Sequence, residues 1–133
     1  MHVATIPTPP SVNGLYRNGK YNPRVKTERY MTWLNAAVPI LRVCLPQFPG
    51  RVLVLIGVSE KHTGDIDNRQ KAVLDALVKA GRIPDDQKRY VRFSGAQWCE
   101  HLPKYLAEIT VVSADQYALC FKKIDGEAEG SPA

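Results

Sequence analysis

Four acids and a lysine stand at spacings suited to metal-assisted chemistry. Asp65 and Asp67 are separated by Ile66, Lys71 follows within the same polar run, and Asp85-Asp86 close the next segment. If the stretch around Ile66 is extended, its period of two puts both carboxylates on one side and Ile66 on the other. A hard cation such as Mg2+ takes a few carboxylate oxygens and keeps several waters, leaving positions for a phosphate. A third acid from another loop would complete that set, and Asp86 or its neighbour Asp85 is the candidate. Other readings of the same residues stay open. Asp67 with Gln70 could form a capping box. Lys71 and Asp75, spaced i,i+4, could be a surface pair. Asp85 and Asp86 could be turn formers after Pro84. An EF-hand is excluded, because counting from Asp65 puts Arg69 and Gln70 where a ligand and a glycine are needed.

The elements that must carry these residues are readable in outline. Residues 3–6 form a short strand, followed by the turn-rich run Pro7-Thr8-Pro9-Pro10-Ser11-Val12-Asn13-Gly14. Residues 15–26 make a basic loop in which Arg17, Lys20, Arg24 and Lys26 alternate with Tyr16 and Tyr21. Thr27 suits a helix N-cap, and Tyr30, Trp33, Leu34, Ala37 and Leu41 recur at helical spacing behind it. Pro39 is expected to kink or end that helix. Residues 51–59 read as a buried strand. A helix over 68–80 turns Val73, Leu74, Leu77 and Val78 to the core, with Gly81 just past its end. Residues 88–97 and 104–112 read as two strands joined as a hairpin. Residues 117–124 suit either strand or helix, and 125–133 have the composition of a loose tail. The order β-α-β-α-β-β predicts an α+β fold, a mixed sheet with helices packed on it. The second helix is about 20 Å long. It separates Asp86 from Asp65 and Asp67 unless the chain doubles back.

Length and composition bound the function. A chain of 133 residues with 44% apolar side chains can bury one domain's core. Its 18 basic and 13 acidic side chains give a net charge of +5, which favours an anionic partner. The positive excess lies at the front, where residues 1–30 hold five basic side chains and one acid. Cys44, Cys99 and Cys120 have no paired spacing, which excludes a zinc ribbon and predicts reduced thiols in a cytosolic protein. His2, His62 and His101 show no metal-ligand spacing. The first residues carry no apolar leader, and no apolar run is long enough to span a membrane.

Several motifs in order carry a family resemblance. Asp65-Ile66-Asp67-Asn68-Arg69-Gln70-Lys71, then Leu74-Asp75-Ala76-Leu77, Gly81 and Asp85-Asp86 resemble the signature of the RusA-like Holliday junction resolvases. The opening Pro9-Pro10-Ser11-Val12-Asn13, with Tyr16-Arg17 behind it, is similar to that family's front end. The likeness runs over residues 5–112. It implies a RusA-like nuclease domain over 1–113 and a C-terminal extension over 114–133. The activity implied is a crossover junction endodeoxyribonuclease, a homodimer that resolves four-way DNA junctions by paired nicks in recombination and repair. Mg2+ is the implied cofactor, with Mn2+ an alternative. Asp65, Asp67 and Asp86 fall on the essential acids, joined by Lys71, and Asp85 is a candidate further ligand. DNA contacts are expected from Asn13, Tyr16, Arg17, Lys20, Arg24, Lys26, Lys61 and Arg69. The implied setting is the cytoplasm of a bacterium, from a bacterial or phage gene. One departure stands out: the run Glu60-Lys61-His62-Thr63-Gly64 lacks the arginines that family members often carry before the first acid. Two alternatives follow, a related nuclease with another DNA substrate such as flaps, and a non-catalytic DNA-binding module.

Overall fold

The computed structural model describes residues 1–11, 15–17, 25–64 and 66–125, with 67 and 68 described for their backbone only. Its described elements are strands β1 (His2–Pro7), β2 (Tyr16–Arg17) and β3 (Val25–Lys26), helix α1 (Glu28–Cys44), strand β4 (Val52–Ser59), a 3-10 turn (Ile66–Arg69), helix α2 (Gln70–Lys79), and strands β5 (Val91–Cys99) and β6 (Leu106–Ser113). The expected α+β class and element order hold. The basic loop adds a small antiparallel ladder in which Tyr16 faces Lys26.

Helix α1 begins as its sequence requires. The Thr27 hydroxyl accepts from the Tyr30 backbone N–H at 3.1 Å. Tyr30, Trp33, Leu34, Ala37, Val38 and Leu41 form its buried face. The helix does not end at Pro39 but runs on to Cys44. Pro39 is exposed, so the backbone bond it cannot make is lost on the solvent side while the opposite face stays packed. Trp33 ties α1 to the sheet by donating its indole N–H to the Pro7 carbonyl at 2.8 Å.

The main sheet has the order β1-β6-β4-β5. Strand β4 is central, as its almost continuous apolar run suits. Val52, Val54, Ile56 and Val58 are fully buried, packing with Ala107, Ile109 and Val111 of β6 beneath both helices. The expected hairpin of the last two strands is not formed. Strand β5 pairs parallel with β4 through the α2 crossover, whereas β6 pairs antiparallel with β4 on its other side. The connection between β5 and β6 therefore passes the end of β4, where Ser59 donates its hydroxyl to the Leu102 carbonyl at 2.9 Å.

Both helices share one face of the sheet. Against the other lies an apolar groove of about 280 Å3 between Leu53, Leu55, Phe93 and Val112 and the segment around Tyr117 and Leu119. Residues 117–124 are neither helix nor regular strand, with a single isolated bridge at Lys122. Arg51 and Asp115, 2.6 Å apart, anchor the chain as it leaves β6.

Candidate active site

The segment carrying the first acids reaches α2 through the 3-10 turn, with Arg69 at the N-cap position and no side-chain cap bond there. The Gln70 side-chain carbonyl accepts from the Ser94 hydroxyl of β5 at 2.8 Å. This fixes the first turn of α2 to the sheet. Asp65 lies outside the described residues, as do the side chain of Asp67 and all of Asn13, Lys20 and Arg24. The Asp67 backbone precedes Lys71 by one turn of the joined 3-10 and α-helix.

Arg69 is also part of this support. Only 5% of it is exposed. Its guanidinium donates to the Pro9 carbonyl and, at 3.4 Å, to the Thr63 carbonyl, and lies 3.3 Å from His62 Nδ1. Its Nε is buried with no hydrogen-bond partner among the described residues. Burial, with repulsion from Arg29 second, lowers the Arg69 pKa below its usual value. The Pro-Pro opening and the acidic segment, far apart in sequence, are thus joined at one side chain. Arg69, expected to contact DNA, has most of its surface taken up by these contacts. Sequence alone offered no sign of it, because a lone arginine after a DxDN run reads as surface charge.

The far end of α2 brings Asp86 back along the helix to Lys71. Gly81 adopts φ 68°, and its N–H donates to Val78 while that of Arg82 donates to Leu77. This paired pattern reverses the chain at the helix end. Ile83 is buried, and Arg82 Nη1 donates to the Leu45 carbonyl at 3.0 Å, so the returning loop is pinned. Asp86 then lies beside α2, its Oδ2 3.8 Å from Lys71 Nζ. Asp85 accepts from the Asp86 N–H at 2.7 Å, so one of its oxygens serves the turn. Asp86 is the freer acid.

These residues line a cleft of about 400 Å3, with Tyr16 and Lys26 on one wall, Lys71, Asp75 and Lys79 of α2 on another, and Asp85 and Asp86 beside them. The structure thus unites five of the expected residues: Tyr16, Lys26, Lys71, Asp85 and Asp86. Arg17, in the same ladder, and Lys61, past the end of β4, are exposed outside this lining. Burial works against the Lys71 charge, but the hydrogen bond and charge of Asp75, with Tyr16 and Asp86, outweigh it and raise the Lys71 pKa. Asp75 is the residue that sequence reasoning placed only as a surface partner. It also accepts from Tyr30 at 2.7 Å and Tyr16 at 3.4 Å.

Among the described residues no three acid, histidine or cysteine side chains are grouped to hold a metal. The described part of the donor set nevertheless fits a hard cation. Asp85 and Asp86 bring carboxylate oxygens to the cleft, no sulfur lines it, and Lys71 offsets their charge.

No protein-family model matches the chain. It is 34% identical over 85 residues to the crossover junction endodeoxyribonuclease RusA of Escherichia coli strain K12, covering 62% of this chain and 71% of that protein. The RusA protein of Escherichia coli O139:H28 matches at 34% over 86 residues, 62% of this chain and 72% of that one. That of Shigella sonnei matches at 32% over 85 residues, with 62% and 71% covered. The chain belongs to the RusA family of crossover junction endodeoxyribonucleases. The returning loop after Gly81 gives the spacing between Lys71 and Asp86 its physical sense. No helix among the described residues is long and apolar enough to cross a membrane.

Proposed function

We propose that this protein is a divalent-metal-dependent endodeoxyribonuclease that resolves four-way DNA junctions. The observation that carries the reading is the return of Asp86 to Lys71, one turn past Asp67, in a chain of the RusA family. Asp65, Asp67 and Asp86 would hold Mg2+, or Mn2+ in its place, with Asp85 as a further oxygen donor. When bound, the cation supplies a Lewis acid for the scissile phosphate and a water of lowered pKa. Lys71 presents a fixed ammonium to the phosphate oxygens, where negative charge grows as the P–O bond breaks. Lys26 and Tyr16, on the opposite wall, are placed to hold the DNA backbone. Arg17 and Lys61 extend the positive surface, and Asn13, Lys20 and Arg24 would add to it.

The junction's two-fold symmetry calls for two matched nicks, which a C2 homodimer supplies from two identical sites. The apolar open face of the sheet, where Leu55, Tyr117, Leu119 and Phe121 are exposed, supports such an association. Action on chromosomal or phage DNA during recombination and repair places the work in the cytoplasm.

The test is cleavage of a fixed four-way junction with and without Mg2+, beside Asp67→Asn. The variant should fold and bind the junction but cut nothing. Mg2+-dependent cutting by Asp67→Asn would remove the assignment. Equal cleavage of linear duplex would make the enzyme a general nuclease, and a monomer at micromolar concentration, free and on DNA, would remove the dimer.

A further inference from the structure

Lys71 is held between two carboxylates, and they hold it unequally. Its Nζ lies 3.2 Å from Asp75 Oδ1 and 3.8 Å from Asp86 Oδ2. Asp75 is not a loose surface acid. Its side chain is 22% exposed, and its other oxygen accepts from the hydroxyl of Tyr30, itself wholly buried in α1, at 2.7 Å. Tyr16, edge-on to Tyr30 with ring centroids 5.9 Å apart, donates to the same oxygen. The orientation of Asp75 is therefore set from the core of a different helix, while its free oxygen faces Lys71. An exposed i,i+4 pair has no such anchor and contributes only a few tenths of a kcal/mol.

We propose that Asp75 is a positioning residue that draws Lys71 away from Asp86. It keeps the ammonium at the mouth of the cleft and leaves the Asp86 carboxylate open to the metal. Without it, the nearest anion for Lys71 among the described residues is Asp86. Closing that pair would withdraw the ammonium from the phosphate and set it in competition with the cation for the same oxygens. The proposal rests on the nuclease reading above.

The test is a double-mutant cycle of Asp75→Asn with Lys71→Met, read in two ways. One is the single-turnover cleavage rate on a fixed junction. The other is Mn2+ binding to the DNA-free protein, followed by loss of the free-ion EPR signal. Asp75→Asn should slow cleavage about tenfold, the scale of a misplaced catalytic group, with metal-free junction affinity changed less than about twofold. It should weaken Mn2+ binding about threefold, and in the Lys71→Met background both effects should shrink below about twofold, since the two residues act as one unit. Equal losses in both backgrounds, or unchanged rate and Mn2+ affinity, would overturn the proposal. If Asp75→Asn does not fold, Tyr30→Phe decides the matter. It removes the 2.7 Å anchor without touching Lys71 and should give the same pattern, smaller. A wild-type protein that cuts with additive losses sinks only the role of Asp75. A wild-type protein that cuts no junction with any divalent cation sinks the nuclease reading and this role together.

Discussion

Replacing Arg69 with methionine is a searching test of how the acidic segment is held. Methionine keeps most of the stem volume and removes the fork. The fork donates to the Pro9 carbonyl and, at a long 3.4 Å, to that of Thr63. A hydrogen bond from a charged donor contributes about 1.5–3 kcal/mol. Against this, the variant no longer buries a charge, and burial already lowers the Arg69 pKa. Counting one full bond, a weak second and that relief, the net loss should be about 2 kcal/mol. With a urea m-value of about 1.5 kcal/mol/M, the unfolding midpoint should fall by about 1.3 M. Activity should fall further than stability explains, because residues 9–10 and 62–63 lose their common tie at the turn leading to Asp67. Junction cleavage at a temperature where the variant is fully folded reads that second effect. Arg69→Lys should be intermediate, since one ammonium cannot span both carbonyls. A midpoint within about 0.3 M of wild type, together with unchanged cleavage, would refute the latch.

Three further outcomes are expected. Gly81→Ala meets no atom within 4 Å but must hold φ 68°, so it should cost about 1 kcal/mol by urea denaturation, without the larger penalty of a clash. Burial first, and the Asp75 hydrogen bond second, hold the Tyr30 phenol well above its ordinary value of 10.0. Its stabilising contribution is therefore complete below the unfolded value and is lost as pH rises past it, because the unfolded chain releases a proton that the folded chain keeps. Above about pH 10 this one group should lower stability by about 1.4 kcal/mol per pH unit, and Tyr30→Phe should remove that part of the slope. Lys26→Ala should weaken junction binding uniformly across sequences and reduce the magnitude of the salt-dependence slope by about one; an unchanged slope would place Lys26 off the DNA.

What could be read ahead of the structure was local. Thr27 announces α1 through its own hydroxyl, the apolar stripe of α2 shows in the spacing of Val73 and Leu77, and Gly81 marks a helix end because few other residues accept its φ. Pro39 misled because a proline is judged by the bond it removes, and the sequence does not show that this bond faces water while Tyr30, Leu34 and Leu41 stay packed. Strands β5 and β6 looked like a hairpin because only residues 100–105 separate them. The run Val52-Leu53-Val54-Leu55-Ile56 already carried the contrary sign. A strand apolar on both faces belongs in the middle of a sheet, and β4 can be central only if its neighbours in space are not a hairpin with each other.

The site was legible in its parts and not in its assembly, for the same reason. Asp67 and Lys71 are joined by one helical repeat, so their nearness follows from the sequence. Asp86 comes back only because Gly81 reverses the chain, Ile83 buries itself and Arg82 binds the Leu45 carbonyl, three separate events of which only the glycine leaves a local sign. Asp75 is the harder case. Its spacing from Lys71 is what any exposed ion pair shows, and its distinction lies in Tyr30, which the sequence assigns to the core of another helix. A tyrosine on a buried stripe still has a hydroxyl to satisfy. The question of where that hydroxyl goes leads from the core of α1 through Asp75 to Lys71, and so from packing to the chemistry of the cleft.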